Sequence, residues 1–241
     1  MTKSRNPLKK QSLSTWLIAG FMGCVLLMLK TSNDPLVPLL TGTMVGIIFS
    51  QFPTGNEVTF NLSAATVSAI LMYYVLVKIP EQQKKARAKA HLLRTYDRFK
   101  EQCIATFVGL ADGHYSGETV KSLMRAENFK KYFKERTGPD VDRWDDAANR
   151  MNDYSLRQLT VEMEILYNEF QHVMTVTDIQ DDELHSFFKH LSEQLYKWRL
   201  WQEDYDGVKS AMGFFWQVLA GWSFIEGYAT NDRVRERLTK L

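Results

Sequence analysis

Three observations predict an all-α chain, with N-terminal transmembrane helices followed by a cytoplasmic antiparallel helical bundle. Three apolar stretches, 13–29, 36–52 and 60–79, follow one another closely. Only Lys30, Asp34, Glu57 and Lys78 carry charge between Gln11 and Pro80, whereas 50 charges fall in 81–241. Beyond Pro80, apolar residues recur at helical spacing with few of the alternations that mark strands. About a third of the chain therefore has the composition of a lipid-solvated block, and the rest is long enough for one domain with its own core.

The first element is a basic tail, 1–12, with Lys3, Arg5, Lys9 and Lys10 and no acid. A transmembrane region, 13–80, follows. A spanning helix needs about 20 apolar residues, with about 17 as the lower limit. Segment 60–79 meets this, with Tyr73, Tyr74 and Lys78 towards its end. Segment 13–29 meets it at the short end, with Trp16 near one interface and Lys30 at the other. It has the basic flank of a signal peptide, but Leu26-Leu27-Met28-Leu29-Lys30 is no small-residue cleavage site, so an uncleaved anchor is expected. Segment 36–52 is interrupted by Pro38, Gly42 and Gly46 and diluted by Ser50-Gln51. Gly42 and Gly46 are a small-xxx-small pair suited to close helix packing, within the chain or between copies.

Flanking charge turns these segments into a topological problem. Seven Lys/Arg lie in 81–100 against Glu81 and Asp97, which places the large domain in the cytoplasm. The basic tail prefers the same side, so the number of crossings should be even although the segments number three. Either 36–52 is a re-entrant or shallow element, or the tail is exported against its charge. Two full crossings with a packed middle hairpin satisfy both ends. No ionisable residue sits at the centre of a segment, which argues against a pump or proton-coupled transporter. A pore made by oligomerisation has Thr41, Thr43, Ser50 and Ser63 as polar lining.

Next comes a basic juxtamembrane helix, 81–110, and then an acidic α-helical domain, 111–241. From Glu101 onward there are 17 basic and 24 acidic residues, so no nucleic-acid partner is expected there. Ser116-Gly117 opens a helical region with Val120, Leu123, Met124, Phe129, Tyr132 and Phe133 in phase, and Gly138-Pro139 ends it. A short helix over 140–151 follows, with Trp144, Ala147, Ala148 and Met151 on one face. The clearest helix is expected to start at a Ser155/Gln158 capping box, with Leu156, Leu159, Met163, Leu166, Phe170 and Val173 along one side. Leu184, Phe187, Leu191, Leu195 and Trp198 line another helix. A last helix over 205–228 is apolar all round at its centre, so it is buried on every side or meets lipid or a partner. Phe214, Phe215, Trp216, Trp222 and Phe224 are accordingly candidates for either a core or an interaction surface.

Catalytic signatures are absent, and no catalytic, cofactor-binding or metal-ligating residue is assigned. Glu169-Phe170-Gln171-His172 is one Glu-x-x-His step where a diiron bundle needs two. Asp140, Asp142, Asp145 and Asp146 lack the glycine and closing glutamate of a calcium loop and suit a helix start better. Gly113-His114-Tyr115-Ser116-Gly117 has the wrong spacing for a nucleophile elbow, and a capping loop is the simpler reading. Arg87 and His91 are too close for the Arg-x4-6-His signature of certain helical RNases. A membrane-tethered enzyme using His91 or His114 is the lesser alternative. The two cysteines, Cys24 and Cys103, cannot build a disulfide framework, which fits a reducing compartment.

In architecture alone the chain resembles small membrane effectors of prokaryotic anti-phage defence, and also the exclusion or immunity proteins that block a transfer partner. That resemblance implies an inner-membrane protein acting through self-association and a cytoplasmic protein partner, with pore formation, exclusion and passive scaffolding as the alternatives.

Overall fold

In a computed structural model of the chain, residues 13–32, 51–177, 179, 181–199, 205–223, 227–228 and 232–241 are described. They are almost wholly helical and fall into two compact units, Met1–Gln83 and Lys84–Leu241.

The first unit holds α1 (Leu13–Thr31) and α2 (Asn56–Tyr73), which pack against each other. Asn56 brackets the start of α2: its Oδ1 accepts from the Phe52 amide at 2.9 Å, and its Nδ2 donates to the Phe52 carbonyl at 2.7 Å. Gly55 sits at φ 81°, a left-handed position that costs glycine nothing. Gln51 Nε2 donates to the Ser32 carbonyl at 2.9 Å, and Lys30 lies 4.6 Å from the Phe52 ring centroid. The end of α1 and the approach to α2 therefore meet, which makes the two helices antiparallel. A π-helical turn, Tyr74–Lys78, follows α2. The helical run Asn56–Asp112 contains a stretch long and apolar enough to cross a membrane, and only 11% of that stretch is buried. Gly42 and Gly46, with Thr41, Thr43 and Ser50, lie outside the described residues; Ser63 is buried.

The second unit begins within α3 (Ile79–Asp112). Leu92, Tyr96, Phe99, Cys103, Ile104, Phe107 and Val108 form its buried face. Gly113, at φ 78°, stops it, and Arg150 Nη1 donates to the end carbonyl of Ala111 at 2.8 Å. Ser116 caps α4 (Gly117–Leu123) by accepting from the Thr119 amide, as the sequence predicts. Short helices α5 (Ala126–Phe133) and α6 (Arg143–Asn149) follow. The aspartate cluster is a helix start: Asp142 and Asp145 form a capping box on α6.

Helix α7 (Asp153–Val176) buries Leu156, Leu159, Met163, Leu166, Phe170 and Val173, the stripe its periodicity predicts. Its cap, however, is Asn152, whose Oδ1 accepts from the Ser155 amide at 2.9 Å; Ser155 is inside the helix, and Gln158 instead reaches Tyr154. Asparagine caps as well as serine, so the start moves upstream. Helix α8 (Asp182–Arg199) packs on α7 and buries Leu184, Phe188, Ser192 and Leu195, with Phe187 only partly covered. Helix α9 (Tyr205–Leu219) stops at Leu219 and does not run on to Tyr228. Gly221 is left-handed at φ 65°, and Trp222–Ser223 (β1) pairs antiparallel with Gly227–Tyr228 (β2). A final helix, α10 (Arg233–Thr239), is capped by Asp232.

Candidate membrane-facing and interaction surfaces

On the first unit, large apolar side chains face outward from both helices. Trp16, Ile18, Met22, Leu26 and Leu29 do so on α1, and Val58, Leu62, Leu71 and Met72 on α2, with Trp16 67% and Val58 72% exposed. The π turn adds Val75 and Leu76. In water such a contiguous surface would aggregate, so it needs lipid or protein to cover it. A core helix of a soluble domain would have this stretch mostly buried, whereas only 11% of it is.

On the second unit, the aromatic residues singled out in the sequence are largely internal. Phe215 is fully buried, and Phe214 and Trp216 are 8% and 9% exposed. Phe215 contacts Phe99 and Phe107 at ring-centroid distances of 6.3 and 5.2 Å. Trp216 meets Trp144 at 5.1 Å and Phe129 at 5.9 Å. These stacked, edge and tilted contacts lock α3, α5, α6 and α9 into one core. Phe214, Phe215 and Trp216 thus pack inside the domain. Trp222 contributes backbone to the β1–β2 pair, and Phe224 lies outside the described residues.

Sequence reasoning missed a polar anchor within that core. Lys100 is 3% exposed, yet its Nζ donates to Asp232 Oδ2 at 2.7 Å and to the Met124 carbonyl at 3.0 Å. Tyr96 donates to Asp232 Oδ1 at 2.9 Å, and the same oxygen caps α10 through the Arg235 amide. Burial, then the Asp232 carboxylate, push the Tyr96 phenol well above its usual range, so it stays a donor. One signal was available: Lys100 stands one turn after Tyr96 in the apolar phase of α3.

Two residues considered separately for chemistry do meet. His91 Nδ1 lies 2.7 Å from Glu169 Oε1, across the α3–α7 contact. His172, the other half of the Glu-x-x-His step, is exposed, and among the described residues no three His, Cys, Asp or Glu side chains converge as metal ligands. His114 is exposed on the loop before α4. Farther along the same α3–α7 contact, Glu162 is pushed up by burial, with Arg98 opposing. Burial and Glu162 also hold the Cys103 thiol well above its ordinary range, which makes it inert.

Around α6, partial burial raises the Asp142 carboxyl, but Lys134 and the Asp145 amide outweigh it and leave the group below its ordinary value. Tyr132 donates to Asp112; burial and that carboxylate push it up to about 12. Beside α6, a cleft of about 640 Å³ opens towards α9, floored by Trp144, Met151 and Met212 and rimmed by Asp140, Asp145 and Lys209.

Comparison of the chain with protein-family models, with curated proteins and with solved structures found no match in any of the three.

Proposed function

We propose that this is an inner-membrane protein of bacterial type that works by protein interaction, with the acidic helical domain in the cytoplasm and the membrane segments assembling when that domain is engaged. The observation that carries this reading is the outward apolar surface of α1 and α2, whose exposed side chains need a lipid solvent. The hydrogen bond between Gln51 and Ser32 supports an even number of crossings. Residues 32 and 51 stand at one level, so α1 ends and α2 begins on the same side. Tail and domain then share a side, as their basic flanks require.

The interior of the domain fits a structural core that presents surfaces for binding. Its buried polar groups, Lys100, Asp232 and Tyr96, satisfy one another and tie helices together. Assembly in the membrane follows the defence-effector reading and makes permeabilisation the output. The test joins two measurements: native mass of the detergent-extracted protein, and uptake of an impermeant dye by induced cells. A multimer with dye uptake is the expected result. A monomer or dimer without leakage would replace assembly with anchoring or exclusion.

A further inference from the structure

The cleft between α6 and α9 has a volume of about 640 Å³, and its chemistry names a class of occupant. Its floor is apolar and adaptable: Met151 and Met212 are flexible thioethers beside the Trp144 ring. Gly213 is exposed on α9, and a Cβ built there meets nothing within 4 Å. A second main chain can therefore approach α9 closely. The rim carries two carboxylates, Asp140 and Asp145, against the single cation of Lys209, and neither carboxylate makes an ion pair among the described residues. The domain from Glu101 onward is acidic by seven charges, which favours the approach of a cation-bearing partner.

We infer that this groove receives an amphipathic helix of a protein partner, with its apolar side on Trp144 and Met212 and its basic flank against Asp140 and Asp145. The mode is helix-in-groove recognition, in which the apolar floor supplies affinity and the rim charge selects orientation. The inference rests on the reading of the chain as an interaction protein, and it supplies the surface and partner chemistry for that reading.

The test uses the full chain in nanodiscs of zwitterionic lipid, with methyl-labelled methionine followed by NMR. The probe is a synthetic peptide of about four helical turns, leucine on one face and lysine on the other. A glutamate-for-lysine peptide and empty nanodiscs serve as controls. The lysine peptide should shift the Met151 and Met212 methyls saturably and leave the core methyl of Met163 in place. Gly213→Trp, which fills open space, should abolish the shifts, and Asp140→Lys should weaken binding about tenfold. No shift with the lysine peptide, an equal response to the glutamate peptide, or an unchanged titration in Gly213→Trp would overturn the groove. The native mass of the same sample reads the assembly proposal separately, so either can fail alone.

Discussion

Lys100 and Asp232 form a buried ion pair, 2.7 Å from Nζ to Oδ2, between residues 132 positions apart. Lys100 carries its charge into the core face of α3 only because Asp232 and the Met124 carbonyl receive it. Breaking such a pair from one side costs about 3–5 kcal/mol, since a charge is left unpaired in the interior. Asp232→Ala also removes the α10 cap, and Lys100→Met leaves a carboxylate, 15% exposed, that still holds Tyr96. Asp232→Ala should therefore destabilise the domain more than Lys100→Met in denaturant unfolding followed by tryptophan fluorescence. The reverse order would mean that the pair is not what fixes α10.

Trp216 and Phe215 should behave as core residues. Trp216→Ala should cost about 3–5 kcal/mol by loss of buried aromatic volume. The same variant should leave the oligomeric mass of the protein that remains folded unchanged. A stable Trp216→Ala protein with altered mass would restore the surface reading of α9.

Glu162 supplies a stability test with a definite sign. Its folded pKa lies above the unfolded one because burial penalises the carboxylate, so its ionisation above that value works against folding. Glu162→Gln should raise the unfolding midpoint at neutral pH, and the gain should vanish below the ordinary carboxylate range. Asp142 has the opposite sign. Its depressed pKa contributes stability that is present above the unfolded value and lost as pH falls through the folded one. Asp142→Asn should thus destabilise at neutral pH and converge on the parent protein in acid.

The basic turn after the apolar block should set orientation. Lys84, Lys85 and Arg87 are exposed and make no ion pair among the described residues. Replacing all three with glutamine should yield a mixed orientation in protease-protection assays on membrane vesicles, whereas the same change at Lys130, Lys131 and Arg136, far along the domain, should not.

How much of this was legible depended on whether each helix has one wet face. In α7 polar and apolar residues alternate cleanly, and all six predicted positions are buried. In α8 two adjacent phenylalanines straddle the buried edge, so the sequence marks the face but not that Phe188 holds it. The centre of α9 is apolar all round, which hid its end. The left-handed Gly221 that stops it looks like any small packing residue. The Lys100–Asp232 pair is a tertiary fact with no local pattern beyond a lysine in the wrong phase. Flanking charge posed the crossing problem, but only the Gln51–Ser32 contact addressed it.

The membrane-embedded hairpin is the central claim, and thiol accessibility in intact cells tests it most directly. With Cys24 and Cys103 replaced, single cysteines are placed at the exposed positions Thr54, between the two helices, and Glu118, in the domain. An impermeant maleimide should label Thr54→Cys from outside and label Glu118→Cys only after lysis. Labelling of both positions, or of neither, in intact cells would contradict an anchor that crosses twice with its domain inside.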